Sequence, residues 1–252
     1  MRDFIIYKQP KPPNVVRKEK LSVEELREQQ GSSMIKELEL VKSGELKFVR
    51  ETKNLNMFTF SCVFQLPRPL AAKKVAYTEI VSDLWQQKKG NLVASFNAPK
   101  KMSKVAIALL SYATLGDPFL IKATLLSRSD FLKLNDYILN RGGDLRQLIF
   151  GGIRGQDSEG AEIKQFRLSG SKLEKLSGFK NILENTSKIR LLGFAFKPSA
   201  ECREIRFRII YWGGGQLYSP PDPLSHEILE FLNLFDHTLI PGRTNRNMTT
   251  SE

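Results

Sequence analysis

Residues 57–66 read Met-Phe-Thr-Phe-Ser-Cys-Val-Phe-Gln-Leu, and every second side chain is apolar and mostly large. A period of two belongs to a β-strand with one face in a core and the other toward water. Phe58, Phe60, Cys62, Phe64 and Leu66 take the inner face, while Thr59, Ser61, Val63 and Gln65 take the outer one. A strand patterned this way commits the chain to a sheet, and the layer that covers its apolar face has to come from elsewhere in the sequence. Pro67-Arg68-Pro69 ends the run, because proline brings no donor to a ladder.

Two further strands, over 188–196 and 203–212, are separated by Lys197-Pro198-Ser199-Ala200 and read as a hairpin. The second alternates Ile205, Phe207, Ile209 and Tyr211 against Arg206 and Arg208. Residues 92–96, 119–126 and, more weakly, 163–168 are expected as strands; 104–112 reads as a strand or equally as a buried helix. Ser22 and Glu25 form a capping box for a helix over 23–30, and a short helix or strand follows over 34–41. Helical spacing places Ile80, Val81, Leu84 and Trp85 on one face of a helix that ends at Lys88-Lys89-Gly90. Helices are also expected over 129–139, 172–183 and 223–235, the last opened by Asp222-Pro223 after a break at Gly213-Gly214-Gly215. The fold class is therefore α+β, a single domain with antiparallel sheet flanked by amphipathic helices. Its expected span is 45–240, preceded over 1–44 by a basic, proline-containing arm with short helices, mobile over 8–20, and followed over 241–252 by a flexible tail.

A chain of 252 residues buries a sizeable core without disulfides or metal, and its 39 Lys and Arg against 27 Asp and Glu leave a formal charge of +12. Such a balance suits polyphosphate or an anionic membrane surface as partner. Cys62 and Cys202 each sit in an apolar run and suggest no disulfide framework. No apolar stretch approaches the ~20 residues of a membrane span. The first residues turn charged too soon for a signal peptide, so cytoplasm or nucleus is the expected compartment.

Catalytic signatures are missing. His226 and His237 fall on one face of the last helix but about 16 Å apart along its axis, too far for one metal. No second thiol stands near Cys62 or Cys202, so no metal site is expected. The glycines at 142–143, 151–152 and 155 match neither a phosphate loop nor a dinucleotide fingerprint and read as turns. No Gly-x-Ser-x-Gly elbow occurs, and the carboxylates are scattered rather than clustered as a metal-dependent nuclease would need. The chain is expected to be no enzyme and to hold no cofactor. The basic residues are instead spread over several elements as a face: Lys73, Lys74, Lys88, Lys89, Lys100, Lys101 and Lys104, with Lys188, Arg190, Arg206 and Arg208 forming a platform on the hairpin. With no motif for reading bases, binding there should be salt-sensitive and blind to sequence.

The strand Phe58-Thr59-Phe60-Ser61-Cys62-Val63-Phe64, the following Arg68-Pro69, the helix start Tyr77-Thr78-Glu79-Ile80-Val81 and Trp85 near its end resemble the opening of the rhabdovirus matrix-protein core. The strand ending at Tyr211, the proline-bearing loop and the last amphipathic helix are similar to how that family closes. Lys11-Pro12-Pro13-Asn14 stands where animal members carry a Pro-Pro-x-Tyr motif, which points to a plant-infecting relative, and 128–160 has no counterpart. The resemblance implies a non-catalytic virion protein that condenses the viral nucleocapsid and its RNA, self-associates, and contacts an anionic inner membrane leaflet and the viral glycoprotein. It also implies residence in host cytoplasm or nucleus. Phe166, Gly193-Phe194 and Ile209-Ile210-Tyr211 are similar to the core end of plant-virus cell-to-cell movement proteins, whose aspartate motif would fall near Asp130. That alternative implies single-stranded nucleic acid as the partner.

Overall fold

The computed structural model describes the chain apart from residues 14–15, 17, 31–34, 67–75, 152, 155–161, 164, 187, 221 and 240–252. Its strands are β1 (Arg2–Lys8), β2 (Lys20–Ser22), β3 (Val41–Glu51), β4 (Leu55–Gln65), β5 (Tyr77–Gln87), β6 (Leu92–Phe96), β7 (Lys122–Ala123), β8 (Asp144–Gly151), β9 (Ile153–Arg154), β10 (Glu162–Ile163), β11 (Phe166–Ser169), β12 (Lys188–Phe196), β13 (Ile205–Ile210) and β14 (Gly214–Ser219). The helices are α1 (Val23–Gln30), α2 (Lys100–Leu115), α3 (Arg128–Leu139), α4 (Phe179–Asn185) and α5 (Ser225–Leu239), with 3-10 turns at Lys36–Leu40 and Leu173–Lys175. One sheet of 12 strands runs β11-β8-β12-β13-β14-β1-β6-β5-β4-β3-β2, with β7 against β1; β9 and β10 pair separately.

The sheet turns on β1. Phe4-Ile5-Ile6-Tyr7 is apolar without interruption, the pattern of a strand covered on both faces, and β1 lies between β14 and β6. Phe4 and Ile6 enter one core with α3 and α5, while Ile5 and Tyr7 enter a second with α1 and α2. The helical layers therefore lie on opposite faces of the sheet. They overlap at β1, β6 and the end of β5, where Leu84 faces one core and Trp85 the other. Among the described residues each half of the sheet keeps one face that no helix covers.

Several expectations hold. β4 alternates as its sequence demands, and the Ser22–Glu25 capping box closes with bonds of 2.8 and 3.1 Å. The helix over 129–139 is α3, and the hairpin over 188–212 is β12 and β13. Residues 104–112 lie in α2, which ends at Gly116 in the left-handed conformation with φ 82°. Among the described residues no helix is long and apolar enough to cross a membrane.

Others are corrected. The helix expected around residues 80–90 is β5, paired with β4 along its whole length; Ile80, Leu84 and Trp85 take helical spacing only because the strand is covered on both faces at one end. The helix start through which the chain resembles matrix proteins is thus a strand. The domain does not begin near residue 45, since β1 and β2 belong to the same sheet. The arm expected to be mobile is anchored at Gln9, fully buried, whose amide donates to the carbonyls of Gln87 at 3.0 Å and Gly90 at 2.9 Å. Of the strand expected over 119–126 only Lys122–Ala123 pairs. The helix expected over 172–183 is a 3-10 turn followed by α4. Asp144–Gly151, where no strand was expected between the glycine turns, and Gly214–Ser219, whose first glycines were expected to break the chain, are strands. Gly215 is needed there for packing rather than for turning: a Cβ would lie 2.1 Å from the Arg208 carbonyl oxygen and 2.5 Å from the Phe4 ring. Pro67-Arg68-Pro69 and the tail over 241–252 lie outside the described residues.

Candidate functional site

The uncovered face of the β8-β12-β13-β14 half is where cationic side chains converge. β13 turns Phe207 and Ile209 into the core and Arg206 and Arg208 to the other side, opposite Ala195 and Gly193 of β12. Phe207 stands on Phe231 and Phe235 of α5, with ring centroids 5.3 and 5.9 Å apart in edge-to-face contact, so the strand that carries the arginines rests on a rigid aromatic layer. Gly193 leaves the middle of the face without a side chain. The result is a cavity of about 410 Å³ lined by Arg146, Arg167, Arg206, Arg208, Gln147 and Tyr218 around Gly193.

Two of those residues sit where the ladder is broken. Between β8 and β12, Gln147 pairs with Gly193 and Leu145 with Phe194, which leaves Arg146 as an extra residue. Between β13 and β14, Phe207 pairs with Leu217 and Arg206 with Ser219, which leaves Tyr218 extra. A bulge adds a residue to one strand and re-aims side chains. Here Leu145 and Leu217 stay in the core while Arg146 and Tyr218 join the cavity wall.

Charge in the cavity is partly answered. Arg146 pairs with Asp144 at 2.7 Å and Arg206 with Glu204 at 2.5 Å. Arg167 is held by neutral groups: Ser169 Oγ at 3.2 Å and, with the Gln147 amide oriented to accept, Gln147 Oε1 at 3.0 and 2.8 Å. Arg208 lies over the Tyr218 ring, 5.9 Å from its centroid. Among the described residues neither Arg167 nor Arg208 has a carboxylate within ion-pair range. Two guanidinium forks with spare donors beside two that are partly neutralised make an anion site of net positive charge, with geometry suited to bidentate oxyanions.

No family model matches the chain, and no curated protein matches it. Function is accordingly argued from this geometry.

Of the cations expected as a face, Arg206 and Arg208 line the cavity. Lys100 lines an adjoining cavity of about 360 Å³ that shares Arg208, and its ammonium lies 4.5 Å from the centre of the Trp212 ring. Lys101 is exposed nearby on α2. Lys188 and Arg190 do not join Arg206 and Arg208 in one cavity; they line a separate one of about 490 Å³ with Arg128 and Tyr211, because β12 carries a bulge at Arg190. Lys88 pairs with Glu51 at 2.8 Å and Lys104 with Glu37 at 2.5 Å, so both are locally neutralised, and Lys89 lines a small cavity with Asn233 and Asp236. Lys73 and Lys74 lie outside the described residues. The residues missed were Arg146, Arg167 and Tyr218. Arg167 was within reach, since it faces outward from a strand that was expected.

Elsewhere the chemistry is structural. Cys62 and Cys202 are free and buried, and burial pushes the Cys62 thiol up to about 11. Burial likewise raises Tyr7 to about 12, although its hydroxyl donates to Ser103 Oγ at 2.8 Å. His237 stacks on Tyr137 with ring centroids 5.7 Å apart. Among the described residues no three His, Cys, Asp or Glu side chains gather as a metal site would require.

Proposed function

We propose that this chain is a non-catalytic binding protein for the phosphate backbone of nucleic acid, and that it holds the backbone on the open sheet face around Gly193. The observation that carries this reading is the convergence of Arg146, Arg167, Arg206 and Arg208 on one cavity, two of them without a carboxylate partner among the described residues. Arginine supplies paired donors matched to phosphate oxygens. The cavity walls offer no constellation for reading base edges, so the affinity is blind to sequence. This is the activity a matrix-like virion protein needs to gather ribonucleoprotein, and that remains the setting we favour.

Neutralising four phosphates gives a slope of log affinity against log salt of about −3, a fall of about 60-fold between 50 and 200 mM. Fluorescence anisotropy with a labelled oligonucleotide of mixed sequence tests this. Arg206→Gln with Arg208→Gln should weaken binding and flatten the slope by about 1.5. Binding that ignores salt, or a double variant that binds as the parent does, would sink the proposal.

A further inference from the structure

A phosphate-binding face accepts duplex, single strand or free polyphosphate, and these differ in what lies beside the phosphates. A duplex hides the faces of its bases in its own stack. A single strand exposes them, and proteins that grip it pair a cationic track with exposed aromatic rings.

Tyr218 is such a ring. As the unpaired residue of the β14 bulge it projects from the ladder, and it is 41% exposed. Its hydroxyl donates to Gln216 Oε1 at 3.1 Å, and Gln216 Nε2 donates to Asp3 Oδ1 at 2.9 Å, so the ring is held rather than free to turn. The Arg208 guanidinium lies 5.9 Å from its centroid, which sets a phosphate on Arg208 next to a base on Tyr218. Trp212, at the far end of the same face, carries Lys100 over its ring and is half-buried against the second core, so it is less open than Tyr218. The cavity around Gly193 and the one under Trp212 share Arg208, so they form one track along β13 rather than two isolated depressions.

From this we infer that the ligand is single-stranded nucleic acid, laid along β13 with one base stacked on Tyr218. The inference rests on the phosphate-binding reading above, and the experiment separates the two. Labelled single-stranded RNA, the same sequence annealed into a duplex, and inorganic polyphosphate as competitor are compared by anisotropy, with circular dichroism melts confirming that each variant folds. The single strand should bind at least about tenfold more tightly than the duplex. Tyr218→Leu should cost the single strand about tenfold while leaving the salt slope in place, and Tyr218→Phe, which keeps the ring, should restore most of that loss. Arg208→Gln should instead flatten the slope by about 0.7. If duplex binds as well as single strand, if polyphosphate displaces it as readily as unlabelled RNA does, or if Tyr218→Leu binds normally while Arg208→Gln is weakened, stacking is refuted and the phosphate reading stands. If Arg208→Gln changes nothing for any ligand, both fall.

Discussion

Glu227 offers the sharpest test of how the arginine-bearing strand is held. Its side chain is 1% exposed, yet it remains a carboxylate because it accepts four hydrogen bonds: from Arg203 Nε at 2.8 Å, Arg203 Nη2 at 2.7 Å, and the backbone amides of Arg203 at 3.1 Å and Leu224 at 2.8 Å. These bonds tie the segment leading into β13 to the first turn of α5, the helix whose Phe231 and Phe235 support Phe207. The Arg203 bond, aided by the amides and opposed by burial, lowers the carboxyl from 4.5 to about 2. At about 1.4 kcal/mol per unit the shift corresponds to roughly 3 kcal/mol of stability. Arg203 is half exposed, so solvent screening brings the expected figure to about 2 kcal/mol. A depressed carboxyl stabilises the fold above its unfolded value, so this contribution is complete at neutral pH and fades as pH falls from about 4.5 toward 2. Glu227→Gln should therefore lower stability in urea by about 2 kcal/mol at pH 7 and converge with the parent near pH 2. Tryptophan fluorescence through the urea transition, repeated across that range, reads both quantities. A variant within about 0.5 kcal/mol of the parent at pH 7, or one keeping the parent's full acid sensitivity, would refute the argument.

Deleting residues 1–8 removes the strand between β6 and β14 along with the fully buried Ile6, so the truncated chain should lose its cooperative thermal transition; an unchanged melt would restore the view that this segment is an arm. Both thiols should resist an aromatic disulfide reagent at pH 8 in the native protein and react only after denaturation, because Cys62 and Cys202 are 3% and 4% exposed. Replacing Lys88 and Lys104 by Gln changes net charge as much as replacing Arg206 and Arg208, but neither lysine lines the cavity around Gly193, so this pair should leave oligonucleotide affinity within about twofold. Equal weakening by the two double variants would mean that binding follows the overall charge and not the cavity.

What the sequence made legible follows from where its periods are unbroken. β4 alternates from Phe58 to Gln65, and Ser22 with Glu25 spells out a cap, so both could be read directly. Arg206 and Arg208 were found because β13 keeps its alternation. β8 was missed for the opposite reason: the bulge at Arg146 spaces Leu145 and Leu148 three apart, which destroys the two-residue signal over Asp-Leu-Arg-Gln-Leu. β14 opens with glycines that normally mark a turn, and only the packing of Phe4 and the Arg208 carbonyl against Gly215 explains them. β5 was misread because strand residues covered on both faces lose alternation and fall into helical spacing by coincidence. The bulge that hid β8 from pattern reading is the same irregularity that aims Arg146 into the cavity.

The two uncovered faces of the sheet put that connection to use. On the β3-β4-β5 half, β4 and β5 pair without a register shift, and the irregularities fall in β3, beside the short edge strand β2. Bulges next to an edge twist it away from unwanted pairing, and there they need no other role. On the β8-β12-β13-β14 half one shift falls in β8, beside the short edge strand β11, but the other two fall in the interior strands β12 and β14. Interior bulges forfeit ladder hydrogen bonds without protecting an edge. Each of the three shifts leaves a large polar or aromatic side chain at a cavity: Arg146 and Tyr218 around Gly193, Arg190 in the neighbouring one. A sheet built only for stability would have kept its register on either side of the β12–β13 pair as it does between β4 and β5. The departure from regularity, more than the net charge, is why we propose this half as the working face.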